Sequence, residues 1–159
     1  MPKSYATSTT VYEKIKAVLD DLQDDDGDRY FQQVLKGKHA MPTRFSAVAI
    51  RPEKISFKSS EFQKRFVTRI FTLVFYVRTS SQLKTLEKLE EIFWEVYDAF
   101  NEINQGAGAG ETDYSTTLNR TLDGTVYWLE VDDITPTYRE TETFIEGETE
   151  MSLRVEFDI

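Results

Sequence analysis

The run from Arg65 to Arg78, RFVTRIFTLVFYVR, constrains the fold more than any other segment of the chain. It reads as one β-strand. Phe66, Thr68, Ile70, Thr72, Val74 and Tyr76 alternate with Val67, Arg69, Phe71, Leu73, Phe75 and Val77. At a rise of ~3.3 Å per residue, such a strand spans roughly 46 Å. Globular strands usually have about five or six residues. A strand this long is expected to bend or to project beyond its own sheet. A projecting strand offers unpaired backbone groups and apolar side chains to a neighbour, which points to assembly.

The stretch from Ser80 to Ile103 follows directly. Leu83, Leu86, Leu89, Phe93, Val96, Phe100 and Ile103 recur at spacings of three and four, so the segment reads as an amphipathic helix with one apolar seam. Glu87, Lys88, Glu90, Glu91, Glu95 and Asp98 fall mostly on the outer face. Ser80 or Ser81 supplies the N-cap. Trp94 and Tyr97 either extend the buried face or are exposed for a partner. The GAGAG segment from Gly106 to Gly110 ends the helix and opens a flexible loop.

A first helix is expected from Val11 to Gln23. Thr10 and Glu13 form a capping box before it, and Val11, Ile15, Val18, Leu19 and Leu22 share one face. Residues Met1–Thr9 are polar and expected to be loose. The aspartates from Asp24 to Asp28, around Gly27, favour a turn. Strands are then expected at Arg29–Leu35 and Phe45–Arg51, with Pro52 ending the second. Glu53–Lys64 reads as a polar binding loop. After Asp123-Gly124, Thr125–Ile134 reads as a strand stopped by Pro136. Thr137–Ile145 reads as an edge strand, Glu146-Gly147 as a turn, and the residues from Met151 to Ile159 as a strand with one apolar face. The implied fold is α+β over a single domain, residues 1–159. A mostly antiparallel or mixed sheet of about five or six strands is flanked by two main helices, and the crossover after the long strand permits one parallel pair.

Little in the chain points to chemistry. There is no cysteine, hence neither a disulfide nor a thiolate metal site. His39 is the single histidine and has no nucleophile motif nearby. A calcium-loop alignment with Gly27 sixth puts Leu22 first and Gln33 twelfth, and neither can serve. The glycine segment lacks the Lys-Ser/Thr of a phosphate-binding loop. No catalytic activity, cofactor or metal is expected. The net charge of −9 disfavours binding of duplex nucleic acid through its phosphates. It suits a surface that DNA slides past. No run approaches the ~20 apolar residues of a membrane helix, and no secretory leader is recognisable, so synthesis in a cytoplasm is expected.

VTRIFTLVFYVR running into LKTLEKLEEIFWEVYDAF, then Tyr127-Trp128-Leu129-Glu130-Val131 and a closing SLRVEFDI, resembles the tail terminator (tail-completion) proteins of long-tailed bacteriophages and related viruses. The resemblance is one of element order and hydrophobic texture over most of the chain. It implies an α/β protein of the virion, at the tail-to-head junction. Such proteins form a ring, here expected to be hexameric, that caps the head-proximal end of the tail tube and stops its polymerisation. The ring presents the docking surface for the head connector or completion protein. The implied partners are further copies of the chain, the tail tube protein and that connector. DNA passes through the lumen without specific binding, and no membrane is involved. No catalytic residue carries over.

The expected assembly contacts are Ile55, Phe57 and Phe62 in the polar loop, and Arg69, Phe71 and Val77 on the long strand. Asp113 and Tyr114, in the loop Gly106–Thr117, complete the set. Other readings are a different head–tail connector or neck protein, a cytoplasmic ligand-binding regulatory α+β domain, and an enzyme using carboxylates. A large ring favours the first reading, and a monomer with a ligand-shaped cavity the regulatory one.

Overall fold

The computed structural model describes residues 3–37, 42–59, 65–101, 128–140 and 145–158. The elements in chain order are α1 (Lys3–Asp21), β1 (Gln33–Lys36), β2 (Ala47–Ser59), β3 (Arg65–Thr79), α2 (Gln82–Asn101), β4 (Trp128–Glu140) and β5 (Ile145–Asp158). The five described strands form one mixed sheet in the order β1-β2-β3-β5-β4. The class is α+β, as the sequence implies. Across the α2 crossover, where the sequence permits a parallel pair, β3 pairs with β5 antiparallel; among the described strands the parallel pair is instead β1 with β2, and the other pairings are antiparallel.

The long strand does not project. β3 lies at the centre, paired by β2 on one side and by β5 on the other, from Phe66↔Asp158 to Thr79↔Ile145. Its neighbours are long as well, which Pro52 hides in β2 and the turn-like Glu146-Gly147 hides in β5. Pro52 does not end β2: it sits opposite Phe71, and the strand runs on to Ser59. The missing amide is tolerated because β1 covers β2 only from Ala47 to Ile50, so Pro52 lies where the outer side of β2 is already an edge. Pro136 likewise lies within the terminal strand β4, opposite Thr149. The two strands expected around it are therefore one. Each proline-bearing strand also carries an extra residue, between Pro52 and Ile55 in β2 and between Val131 and Ile134 in β4.

One face of the sheet carries the helices. Val48 and Ile50, then Phe71, Leu73, Phe75 and Val77, then Met151, Leu153, Val155 and Phe157 form its core with α1 and α2. Val11, Ile15 and Leu19, spaced by four, supply the α1 side. Tyr12 stacks on Phe71 at 5.7 Å and donates its hydroxyl to the Ile50 carbonyl at 2.9 Å. Helix α1 begins at Lys3, so Thr10 lies inside the helix and caps nothing, and the segment expected to be loose is largely helical. The aspartate turn is real. The Asp24 carboxylate accepts from the amides of Asp26 and Asp28, and Gly27 takes φ +84°. A short antiparallel bridge, Gln23↔Arg29, replaces the start of the first expected strand.

Helix α2 is capped as expected: the Lys84 amide donates to the Ser81 hydroxyl at 3.2 Å. Its buried line, however, is Thr85, Leu89, Ile92, Val96 and Phe100. Leu83 and Leu86, assigned to the seam by spacing, are exposed. The cause is Gly147. It is not in a turn but inside β5, opposite Val77 and Tyr138. A Cβ built there would lie 2.3 Å from Thr85 Cγ2 and 3.0 Å from Leu89 Cδ1. The first turn of α2 therefore rests almost on the backbone of β5, with the Thr85 side chain packed between.

Two glycine substitutions should separate two physical effects. At Gly27 a Cβ meets nothing within 4 Å, so Gly27→Ala should cost about 1–2 kcal/mol through the left-handed backbone alone. Gly147→Ala should cost about 1–3 kcal/mol by overpacking α2. Adding Thr85→Ser, which removes the opposing methyl, should recover part of the loss at Gly147 and none at Gly27. Chemical denaturation of the four variants checks this, and equal rescue at both sites would refute the packing account.

Candidate interaction surfaces

The extra residue in β2 decides which side chains meet at the far end of the sheet. Up to Pro52 the even-numbered residues of β2 face the helices. Beyond the bulge Ile55 pairs with Arg69 and Phe57 with Val67, so the odd-numbered ones do. Ile55 and Phe57 therefore stay on the helix-bearing face but remain 40% and 69% exposed. Arg69 lies half-buried between Ile55 and Val155 in register, with its guanidinium 5.7 Å from the Phe71 ring. Burial lowers its pKa from the ordinary arginine value, and Glu53 opposes the shift. Among the described residues the buried Nε of Arg69 finds no acceptor.

Three of the eight contacts named from sequence thus come together: Ile55, Phe57 and Arg69. Phe71 and Val77 do not join them. Both are buried in the core of their own chain, because β3 is central rather than projecting, so neither is accessible to a second subunit. Phe62, Asp113 and Tyr114 lie outside the described residues, as do residues 60–64 and 106–117 of the expected loops. The rest of Glu53–Lys64 is strand rather than loop.

A second exposed apolar surface follows from the rotation of α2. Leu83, Leu86 and Trp94 are exposed, and Phe93 and Tyr97 half-buried beside them. The three rings cluster, with centroids 4.9 Å apart for Phe93–Trp94 and 5.9 Å for Trp94–Tyr97. Spacing alone assigned the two leucines to the core. The signal that corrects it is Thr85, a polar residue on the truly buried line.

The other face of the sheet carries a charged network. Gln33 Oε1 accepts from the amides of Thr43 and Arg44, and this holds the segment entering β2 in place. Phe45 then packs on Ala47, Ala49, Val74 and Tyr76. The Arg78 guanidinium lies 4.3 Å over the Phe45 ring and donates to Glu146 at 2.6 Å. Arg51 donates to the Tyr76 hydroxyl at 3.0 Å, with Glu150 3.8 Å from its other nitrogen. Burial raises the Tyr76 pKa more than Arg51 lowers it. The phenol stays neutral at ordinary pH and serves as a hydrogen-bonding post rather than a base. A cavity of about 250 Å³ opens among Pro42, Phe45, Tyr76 and Glu148. Two permanent cations, paired carboxylates and a neutral phenol can hold a polar group there but supply no nucleophile. Among the described residues no group of three or more His, Cys, Asp or Glu could hold a metal. None of the described helices is long and apolar enough to cross a membrane.

Where α1 hands over to β1, Tyr30 donates to Glu91 of α2 at 2.8 Å, and Lys88 pairs with the same carboxylate. Burial, chiefly, and Glu91 push the Tyr30 pKa far above its usual value. The Lys88 hydrogen bond, chiefly, holds the Glu91 carboxyl below its own despite partial burial.

No protein-family model matches the chain, and no curated protein matches it. Among solved structures, a chain from a "Virion of native gene transfer agent (GTA) particle" aligns over 92% of this chain and 91% of its own, at 13% identity and a TM-score of 0.47. At that score neither a shared fold nor a role follows from the likeness.

A depressed carboxyl stabilises the fold above the ordinary glutamate value of 4.5 and loses that contribution as pH falls through its folded value. The melting temperature of Glu91→Gln should therefore lie below wild type at neutral pH and converge on it at acid pH. A gap that stays constant with pH would rule out the ionic account.

Proposed function

We propose that this chain is a structural virion protein of a tailed, phage-like particle. It acts as a tail terminator: a ring of six copies closes the head-proximal end of the tail tube, stops tube growth and presents the surface on which the head connector docks. The ring carries no catalytic activity and needs no cofactor. DNA passes its lumen without specific contacts, in keeping with a net charge of −9.

The observation that supports this reading most directly is the exposed end of β2. Ile55 and Phe57 continue the apolar face of the sheet into solvent, beside the half-buried Arg69. With the stripe Leu83, Leu86 and Trp94 it gives the chain two separate apolar surfaces, the pattern of a subunit rather than of a monomer. The resemblance to tail terminators rests on a first helix, the long strand, the helix after it and a closing hairpin, and each of these has a counterpart here, with two closing strands in place of the three expected. The regulatory alternative is less well served. The described cavity beside Tyr76, about 250 Å³, falls short of the ~300–1,000 Å³ of ordinary small-molecule sites, and the one of about 420 Å³ between Arg78 and Glu91 is lined by charged and polar side chains with Val77 the single apolar one, rather than by the apolar walls such sites have.

Removing the gene should leave tail tubes of uncontrolled length and heads without tails. Gold-labelled antibody should mark wild-type particles as one band between head and tube. Normal, joined tails in the deletion would overturn the proposal.

A further inference from the structure

The two edges of the sheet differ in charge. On the β1 side, no described residue pairs with β2 beyond Ile50, because β1 ends at Lys36. Over Arg51–Ser59, Arg51, Lys54 and Lys58 against Glu53 leave two positive charges. Arg51 is engaged within its own sheet by Tyr76 and Glu150, so the remaining positive charge of the segment is that of Lys54 and Lys58 in the sequence. At the opposite side β4 is the terminal strand, and among the described residues it pairs only with β5. Along Trp128–Glu140, Glu130, Asp132, Asp133 and Glu140 against Arg139 leave three negative charges.

We infer that the uncovered half of β2 in one copy pairs, edge to edge, with β4 of a second copy, so that the sheet continues from subunit to subunit around a ring. This deepens the proposed function and rests on it. Opposite charges facing across a strand pair are favourable and like charges unfavourable. A two-fold dimer would have to pair β2 with β2 or β4 with β4, bringing like charges together. Joining β2 to β4 uses the two opposite edges of the sheet, and such a head-to-tail contact generates a ring or a filament rather than a dimer. The bulge and the proline in each strand limit how much of either edge can pair. The regular ladder of β2 from Ile55 to Ser59 is the stretch left free to do so. The same contact shelters Phe57, the most exposed large apolar side chain described, at 69%.

The test is charge exchange on the full chain. Wild type in about 0.05 M salt should sediment as a species larger than a dimer, and dissociate towards monomer in about 1 M salt. K54E/K58E gives both edges negative charge, and D132K/D133K makes β4 positive as well as β2. Each alone should associate at least about tenfold more weakly than wild type. Mixed in equal amounts they should assemble again, because each negative β2 edge now meets a positive β4 edge. Circular dichroism and melting show that each variant is folded. Should one not fold, S56C/T137C in this cysteine-free chain should give disulfide-linked multimers on oxidation. A monomeric wild type, a closed dimer, reversals that assemble as well as wild type, a mixture that stays dissociated, or a cysteine variant that stays unlinked would each overturn the inference. Mass spectrometry of purified particles separates the two ideas. If the chain is absent from particles, the virion reading fails and the edge pairing stands. A chain present in particles but monomeric in solution leaves the virion reading and removes the edge pairing.

Discussion

Everything in this fold is arranged around the unbroken ladder between β3 and β5. Each residue from Phe66 to Thr79 has a partner, and the register never slips. Because the register is fixed, so is the face on which every side chain stands. Phe71, Leu73, Phe75 and Val77 line up beside Leu153, Met151, Thr149 and Gly147 under the helices. One slip would carry Glu148, Glu150 and Glu156 into the core, which is why the apolar alternation specifies the pairing so strongly. The helices depend on it in turn. Gly147 stands opposite Val77 only in this register, and only there can the first turn of α2 settle against the strand.

The strands of this ladder, though not their pairing or the start of β5 at Ile145, were the most legible part of the sequence. Strict alternation in Arg65–Arg78 and from Met151 onward leaves few choices, and so does the cap-plus-seam pattern of α2. What could not be read were departures from local rules that long-range context permits. Pro52 and Pro136 look like strand ends but lie within strands, at positions whose outer side pairs with no described residue. Gly147 looks like a turn but marks the closest helix–strand approach. The true line of α2 runs through Thr85, and a search for apolar spacing passes over a threonine.

The candidate surface was legible in part for the same reason. Ile55, Phe57 and Arg69 were named as contacts from an irregular loop and a projecting strand. The structure gathers them on one face through strand pairing instead. Phe71 and Val77 read as contacts from sequence because an overlong strand calls for an outside partner. Their partners are the equally long β2 and β5, whose lengths are disguised by a proline in one and a glycine in the other.

The two bulges have a joint geometrical meaning. The extra residue of β2 lies across from Ile70, whose partner in β5 is Arg154. The extra residue of β4 lies across from Ser152, whose partner in β3 is Thr72. They flank the central ladder at nearly one level, so the sheet is scored by a transverse crease while its two middle strands run through intact. Each bulge bends its own strand and adds local twist. Deleting Lys54 would let Glu53 stand alone opposite Ile70 and leave Ile55 opposite Arg69. Every side chain would keep its face, and only the angle between the two halves of the sheet would change. Single-residue deletions at the crease thus adjust curvature while leaving every remaining side chain on its own face, a degree of freedom that substitution cannot reach.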